Sequence, residues 1–479
     1  MERAILVPYD GRAVEAGLLR RRRGRPGSVA ADTGRWAVWC ARAAGTGQGE
    51  DARFLLAALR RVLAEGPPQD RTAALDALSH APAPLLLLLD RYAGPGACVG
   101  AGTDPLHLLL ASLDADGRVR AAAVEGLAGC GGPLAAAALA LRTVDWVPQV
   151  RSRATTALLV RSAPDEVAAA VRVLLRLTGR SRAGGLLATY RTVLGEPPHR
   201  RAVRALAVDD DPPARRFGVE LALDLGEYVK GDLLRAALHD QDQVCRRLCA
   251  QRLLEVDPEQ AGRLLRARGA GVRELAVAAL PADVPATRLV ALLADRARMV
   301  RAQARWQLYQ RGEPPADVYR KQLGRAVRTH APARLLAGLA AGLGECGDAG
   351  DAAQLARLLN DPHAVVRRAA ARAIGRLAKP DELVGLLGPL ATDPDQGVAR
   401  EVFEGLSRVP DDVPAETLWI GRTRTEPAVR AIAERIGERT GGGSRVSGPG
   451  RVAGRPVERT DGRAAGERVT SRPGTGRGR

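Results

Sequence analysis

The stretch "NDPHAVVRRAAARAIGRLA", residues 360–378, sets the fold, because looser copies of it recur along the whole chain. Aligning the copies on the Arg that follows Val366 brings together Arg120, Arg151, Arg182, Arg215, Arg246, Arg273, Arg301, Arg334, Arg367, Arg400 and Arg430. Successive steps are about 27 to 33 residues, the period of a solenoid repeat. Weaker copies centre on Arg35 and Arg71, where degeneration suits a terminal cap.

Each position in the copy has a mechanical reading. Asp361 followed by Pro362 reads as a helix cap with proline at the first helical position. Three residues after the Arg the side chain is small, as in Ala123, Ala154, Gly185, Gly218, Cys249, Ala276, Ala304, Ala337 and Ala370. Seven after it the residue is often large and apolar, as in Leu127, Leu158, Leu253, Leu280, Leu308 and Ile374. With the residue before the Arg, these positions line one helical face. Gly226, Gly312 and Pro380 then stop their helices. An apolar helix such as "AAQLARLL", 352–359, precedes each copy. The unit is therefore two antiparallel helices, and the expected fold is all-α: a right-handed α-solenoid of stacked antiparallel helix pairs.

An Asp stands six residues before the Arg in Asp114/Arg120, Asp145/Arg151, Asp209/Arg215, Asp240/Arg246, Asp295/Arg301 and Asp361/Arg367. This recurrence resembles the Asp and Arg of HEAT repeats, particularly the short type of phycobilisome lyase-like proteins. The resemblance covers residues 105–440 well and 32–80 weakly. It implies a HEAT-like solenoid in which these twelve residues form a structural ladder between neighbouring turns. It is specific for fold and nearly silent on function.

Composition agrees with an array. Aromatic residues are only 3% of the 479, too few to fill one thick core, while Ala, Leu and Arg favour helices. The formal charge of +18 directs attention to polyanions. After Gly441, nine arginines against Glu458, Asp461 and Glu467 carry +6, leaving +12 (18 − 6) for the rest. The domain reading is a partly disordered basic leader over 1–31, a solenoid over 32–440 with a loop insertion at about 81–105, and a disordered Gly/Arg/Pro-rich basic tail over 441–479. The leader has no secretory pattern and the Leu85–Leu89 run is too short to span a bilayer. Six cysteines lack framework spacing. A cytoplasmic protein without a membrane partner is expected.

Positions one and five after the Arg face away from the buried column, towards the inner surface of such an array. There Arg216, Arg247, Arg368, Arg372 and Arg435 balance Asp76, Glu125, Glu220, Glu274 and Glu401. A duplex groove needs a continuous basic track instead. Trp306, Leu335 and Leu339 in that column read as an apolar patch suited to a protein partner; irregular repeats would equally bury them against a neighbour. Candidate partner-binding residues are Arg216, Arg247, Trp306, Arg368 and Arg372, the last two spaced to clamp a carboxylate. Cys245 and Cys249, with His239 nearby, look like half a metal site, but their register puts both thiols in core columns. "GPGACVGAG", 94–102, lacks the preceding strand of a dinucleotide loop. No catalytic group, metal or cofactor is expected. The expected function is a non-enzymatic scaffold or adaptor that holds a protein partner on its concave surface. Two alternatives stand beside it: a nucleic-acid-associated protein using leader and tail for weak, non-specific contact, and a chromophore lyase-like enzyme on repeat similarity alone.

Overall fold

The computed structural model describes residues 33–94, 102–179 and 184–441. Among them every regular element is helical, and the same three buried columns recur. Val150, Ala154 and Leu158 of the Pro148–Leu159 helix are fully buried, as are Cys245, Cys249 and Leu253 of Gln243–Val256. Val300, Ala304 and Leu308 of Arg298–Tyr309 and Val366, Ala370 and Ile374 of Ala364–Leu377 repeat the pattern. Spacing of four residues stacks these side chains on one face of each helix, so one stripe per helix supplies a shared core.

The chain divides into two compact units, the first ending at Val318 and the second starting at Tyr319. In the first, the second helices Gln243–Val256, Ala270–Ala278 and Arg298–Tyr309 pack one on the next. In the second, Ala333–Cys346, Ala364–Leu377, Gln396–Leu406 and Pro427–Gly441 do the same. The small column permits close approach: a Cβ on Gly218 would lie 2.5 Å from the Leu206 carbonyl carbon. Gly226 ends its helix with φ at 67°, a left-handed conformation that glycine adopts without strain.

Two local expectations are corrected. Residues 81–105 are not a loop throughout, because Ala83–Tyr92 forms a helix. Proline opens its first turn, and Leu85, Leu86 and Leu89 are buried where it packs on Gly49–Glu65 and Pro164–Leu177. At the other site the helix begins at Ala364, capped at His363, and not at Pro362. Asp361 holds the turn instead: its Oδ1 accepts from the His363 N–H at 2.8 Å and its carbonyl from Arg367 Nη1 at 2.9 Å. The leader, residues 442–479 of the tail and most of the 94–102 stretch lie outside the described residues. Among those described, no single helix is long and apolar enough to cross a membrane.

Leu89 is 0% exposed, so Leu89→Ala should destabilise the first unit by about 2–5 kcal/mol. Urea unfolding followed by circular dichroism checks this; an unchanged midpoint would mean that the 83–92 helix does not belong to the core.

Candidate functional site: inter-repeat charge ladders and the second-helix face

Three ladder arginines, Arg120, Arg273 and Arg367, work in two directions. Arg120 Nη1 donates within its own turn to the Asp114 and Ala115 carbonyls at 2.9 and 2.8 Å. Its Nε and Nη2 form a fork on Asp145 of the next copy, at 2.8 and 2.9 Å. Arg273 repeats this on the Ala267 and Arg268 carbonyls and on Asp295, and Arg367 on the Asp361 and Pro362 carbonyls and on Asp393. Arg215 reaches Asp240 at 3.5 Å. Arg151, Arg246 and Arg301 donate to the carbonyls of Asp145, Asp240 and Asp295. Asp114, Asp145, Asp209, Asp240, Asp295 and Asp361 each accept from the N–H two residues on. In five of the six pairs the residues six apart are thus joined through the Asp carbonyl, whereas Arg215 Nη2 donates to the Val208 carbonyl at 3.1 Å. The Asp145, Asp209, Asp240 and Asp295 carboxylates each answer to an arginine of another copy.

Several rungs are built from residues outside the aligned register. Arg172, on the first helix Pro164–Leu177, forks Asp209 at 3.0 and 2.9 Å. Arg320 does the same to Asp351 at 2.6 and 3.0 Å. Six residues after Asp393 stands buried Ala399, and Arg400 beside it is exposed. Arg424, at the place of the next copy's Asp, donates instead to the Ala391 and Asp393 carbonyls at 3.2 and 3.0 Å. The guanidinium there comes from the opposite side of the interface. Another arginine, Arg161, is buried and donates to the Leu127 and Cys130 carbonyls at 2.9 and 2.7 Å, closing the end of the Gly117–Gly129 helix. A cation there also meets the negative end of the helix dipole.

The outward face of the second helices carries a second set of ion pairs. Arg216 forks Asp242 at 2.8 to 3.1 Å, and Asp242 caps the next second helix through the Val244 and Cys245 N–H groups. Hydrogen bonds from Arg216 lead the effects that bring the Asp242 carboxyl down to about 2. Arg247 meets Glu274 at 3.6 Å, Arg368 meets Glu401 at 3.7 Å, and Arg372 Nε donates to the same Glu401 at 2.8 Å. The carboxylate that Arg368 and Arg372 clamp is therefore the chain's own. Trp306 stands apart from this pattern: it is 53% exposed and stacks on Tyr309, 64% exposed, with ring centroids 6.1 Å apart. Met299 is exposed on the same helix. Leu339, expected beside Trp306 on the surface, is buried, because its helix turns that position into the second unit's core. Met299 and Tyr309 were missed in the sequence, although 299, 302, 306 and 309 fall on one helical stripe. Cys245 and Cys249 lie in the core, and burial pushes both thiols up to about 12.

Stacked helix pairs tied by recurring Asp and Arg define an α-solenoid. Residues 352–436 match the family model for HEAT repeats. No curated protein matches it. Among solved structures it is similar to Kap121p bound to Pho4p, at 13% identity and a TM-score of 0.38, over 89% of this chain and 55% of that one. A Kap121p mutant matches at 11% identity and a TM-score of 0.35, over 85% and 53%. A structure of tubulin recruitment by microtubule polymerases with TOG domain arrays matches at 13% and 0.21, over 80% and 86%. The chain spans about half the length of Kap121p.

The ladder makes stability depend on acid. Burial would raise the Asp145 carboxyl, but the Arg120 hydrogen bonds, the Val147 N–H and Arg142 outweigh it and hold it below the usual range. Asp295 and Asp393 are held down in the same way by Arg273 and Arg367. A carboxyl depressed in the folded state contributes stability that is present above its unfolded value, about 3.9, and is lost as pH falls through the folded value. The urea midpoint should therefore fall as pH drops below about 4, and Asp145→Asn should flatten that fall. Equal slopes for wild type and variant would remove Asp145 from the ladder.

Proposed function

We propose that this chain is a non-enzymatic HEAT-repeat scaffold that binds a protein partner through the exposed stripe of the Arg298–Tyr309 helix. The observation that carries the reading is the Trp306–Tyr309 stack standing in solvent, with Met299 exposed on the same helix. Stacked aromatics on a helix whose opposite face is already buried supply contact area at little entropic cost, the property of interface anchors. Arginines and acids along the second helices neutralise each other, which supports a protein partner over a duplex. Arg216, Arg247, Arg368 and Arg372 then act as the polar margin that keeps the helices in register. A cytoplasmic location is part of the proposal and rests on the sequence alone.

The test is affinity capture with the full chain after nuclease treatment, comparing wild type, Trp306→Ala with Tyr309→Ala, and a chain lacking 442–479. Truncating the anchors should weaken the captured partner by at least about 1 kcal/mol, roughly fivefold in Kd, without lowering the melting temperature. If the aromatic substitutions change nothing while tail deletion or nuclease removes the captured set, the nucleic-acid reading takes its place.

A further inference from the structure

In the Arg246 rung of the ladder the next copy supplies no carboxylate. Arg246 sits as its counterparts do: its Nη1 donates to the Asp240 and Gln241 carbonyls at 2.6 and 3.1 Å. In the next copy the position held by Asp114, Asp145, Asp209, Asp240, Asp295 and Asp361 in six other copies is Ala267. The backbone has not shifted, because the Ala267 carbonyl accepts from Arg273 Nη1 at 2.9 Å, as the Asp114 carbonyl does from Arg120. Only the carboxylate is absent. The Arg120, Arg273 and Arg367 forks each hold one at 2.7 to 3.0 Å. The Arg246 Nε is buried and, among the described residues, has no acceptor.

The surroundings of that fork offer it no acid of their own. Gly269 lies beside it without a side chain; a Cβ there would come 3.3 Å from Nε. The neighbouring acids are engaged, Asp240 with Arg215, Asp242 with Arg216 and Glu274 with Arg247. Exposed arginines surround the loop at Arg266, Arg268, Arg296 and Arg298, and Arg296 is tied to it through the Arg268 carbonyl at 2.9 Å. A buried N–H without an acceptor is unfavourable, and an arginine fork matches a carboxylate in geometry and charge.

We infer that the Arg246 fork is a carboxylate-binding site that receives an Asp or Glu side chain from an acidic segment of a partner protein, completing the ladder from outside. The inference rests on the scaffold reading for the kind of partner and adds the chemistry that recognises it. The partner supplies the rung that the chain provides for itself elsewhere, and the surrounding arginines favour a segment with several acids.

The experiment uses the full chain, a fluorescein-labelled 12-residue Glu-rich peptide and its Gln counterpart, read by fluorescence anisotropy at about 0.15 M salt. Ala267→Asp supplies the missing carboxylate from within. It should raise the urea midpoint and weaken the Glu peptide about tenfold or more, a charge-assisted hydrogen-bond effect. Arg246→Gln should weaken the peptide equally without stabilising the chain, and it keeps the test valid if Ala267→Asp folds poorly. Arg266→Gln removes the same charge from the exposed margin and should change binding far less. Equal peptide binding by wild type, Ala267→Asp and Arg246→Gln overturns the inference, as does equal binding of the Gln peptide. Acetate or inorganic phosphate stabilising the wild type, cancelled by Ala267→Asp, with no peptide effect, makes the fork a free-anion site and overturns the protein-segment assignment. The scaffold reading fails on a different result, an unchanged captured set after loss of Trp306 and Tyr309.

Discussion

A guanidinium that holds the turn of its own repeat with one nitrogen and the carboxylate of the next with the other two is the interaction on which the array depends. The helices alone present apolar stripes that could slide or rotate against a neighbour, because small, similar side chains repeat every few residues along each stripe. The fork adds direction. Arg120 and Asp145 are both buried, and the Asp is oriented by the Val147 N–H before the Arg reaches it. Lysine could supply the charge, but it could not reach two carbonyls and two carboxylate oxygens at once. The predominance of Arg over Lys in the chain fits that demand. The desolvation of such a pair makes its contribution to net stability modest; its larger effect is to fix which helix meets which.

Because each unit grows by nearest-neighbour contact, a defect in one rung is local and can be mended locally. Arg172 and Arg320 come from first helices to hold Asp209 and Asp351. Arg424 comes from the far side where Ala399 has no guanidinium to offer. The ladder is thus kept as a function of the interface rather than of one sequence position. The buried Nε atoms of Arg215 and Arg246 both lack an acceptor among the described residues, but Arg215 still reaches Asp240, whereas the copy after Arg246 has Ala267 in place of the Asp.

Much of this was legible in the sequence. The period, the three buried columns and the Asp/Arg recurrence all follow from small, repeated local signals. The ladder was expected between neighbouring turns, and the forks do join residues 22 to 26 apart; which arginine takes each carboxylate was not legible, because that depends on how the helix pairs stack. The helix at 83–92 was hidden because five consecutive leucines have no period and the flanking prolines read as loop. The balance of charge along the second helices was visible, but not that Arg368 and Arg372 share Glu401. Tyr309 was passed over because it falls outside the two positions taken to define the face.

The most direct measurement of the role given to the fork is a double-mutant cycle on Arg120 and Asp145, with each residue changed to Ala singly and together and stability read by urea unfolding. A fork that couples adjacent repeats gives a coupling energy of about 1.5–3 kcal/mol, the range for hydrogen bonds to charged groups. Single and double changes that add to within about 0.3–0.5 kcal/mol would show that the repeats are held by their apolar columns alone.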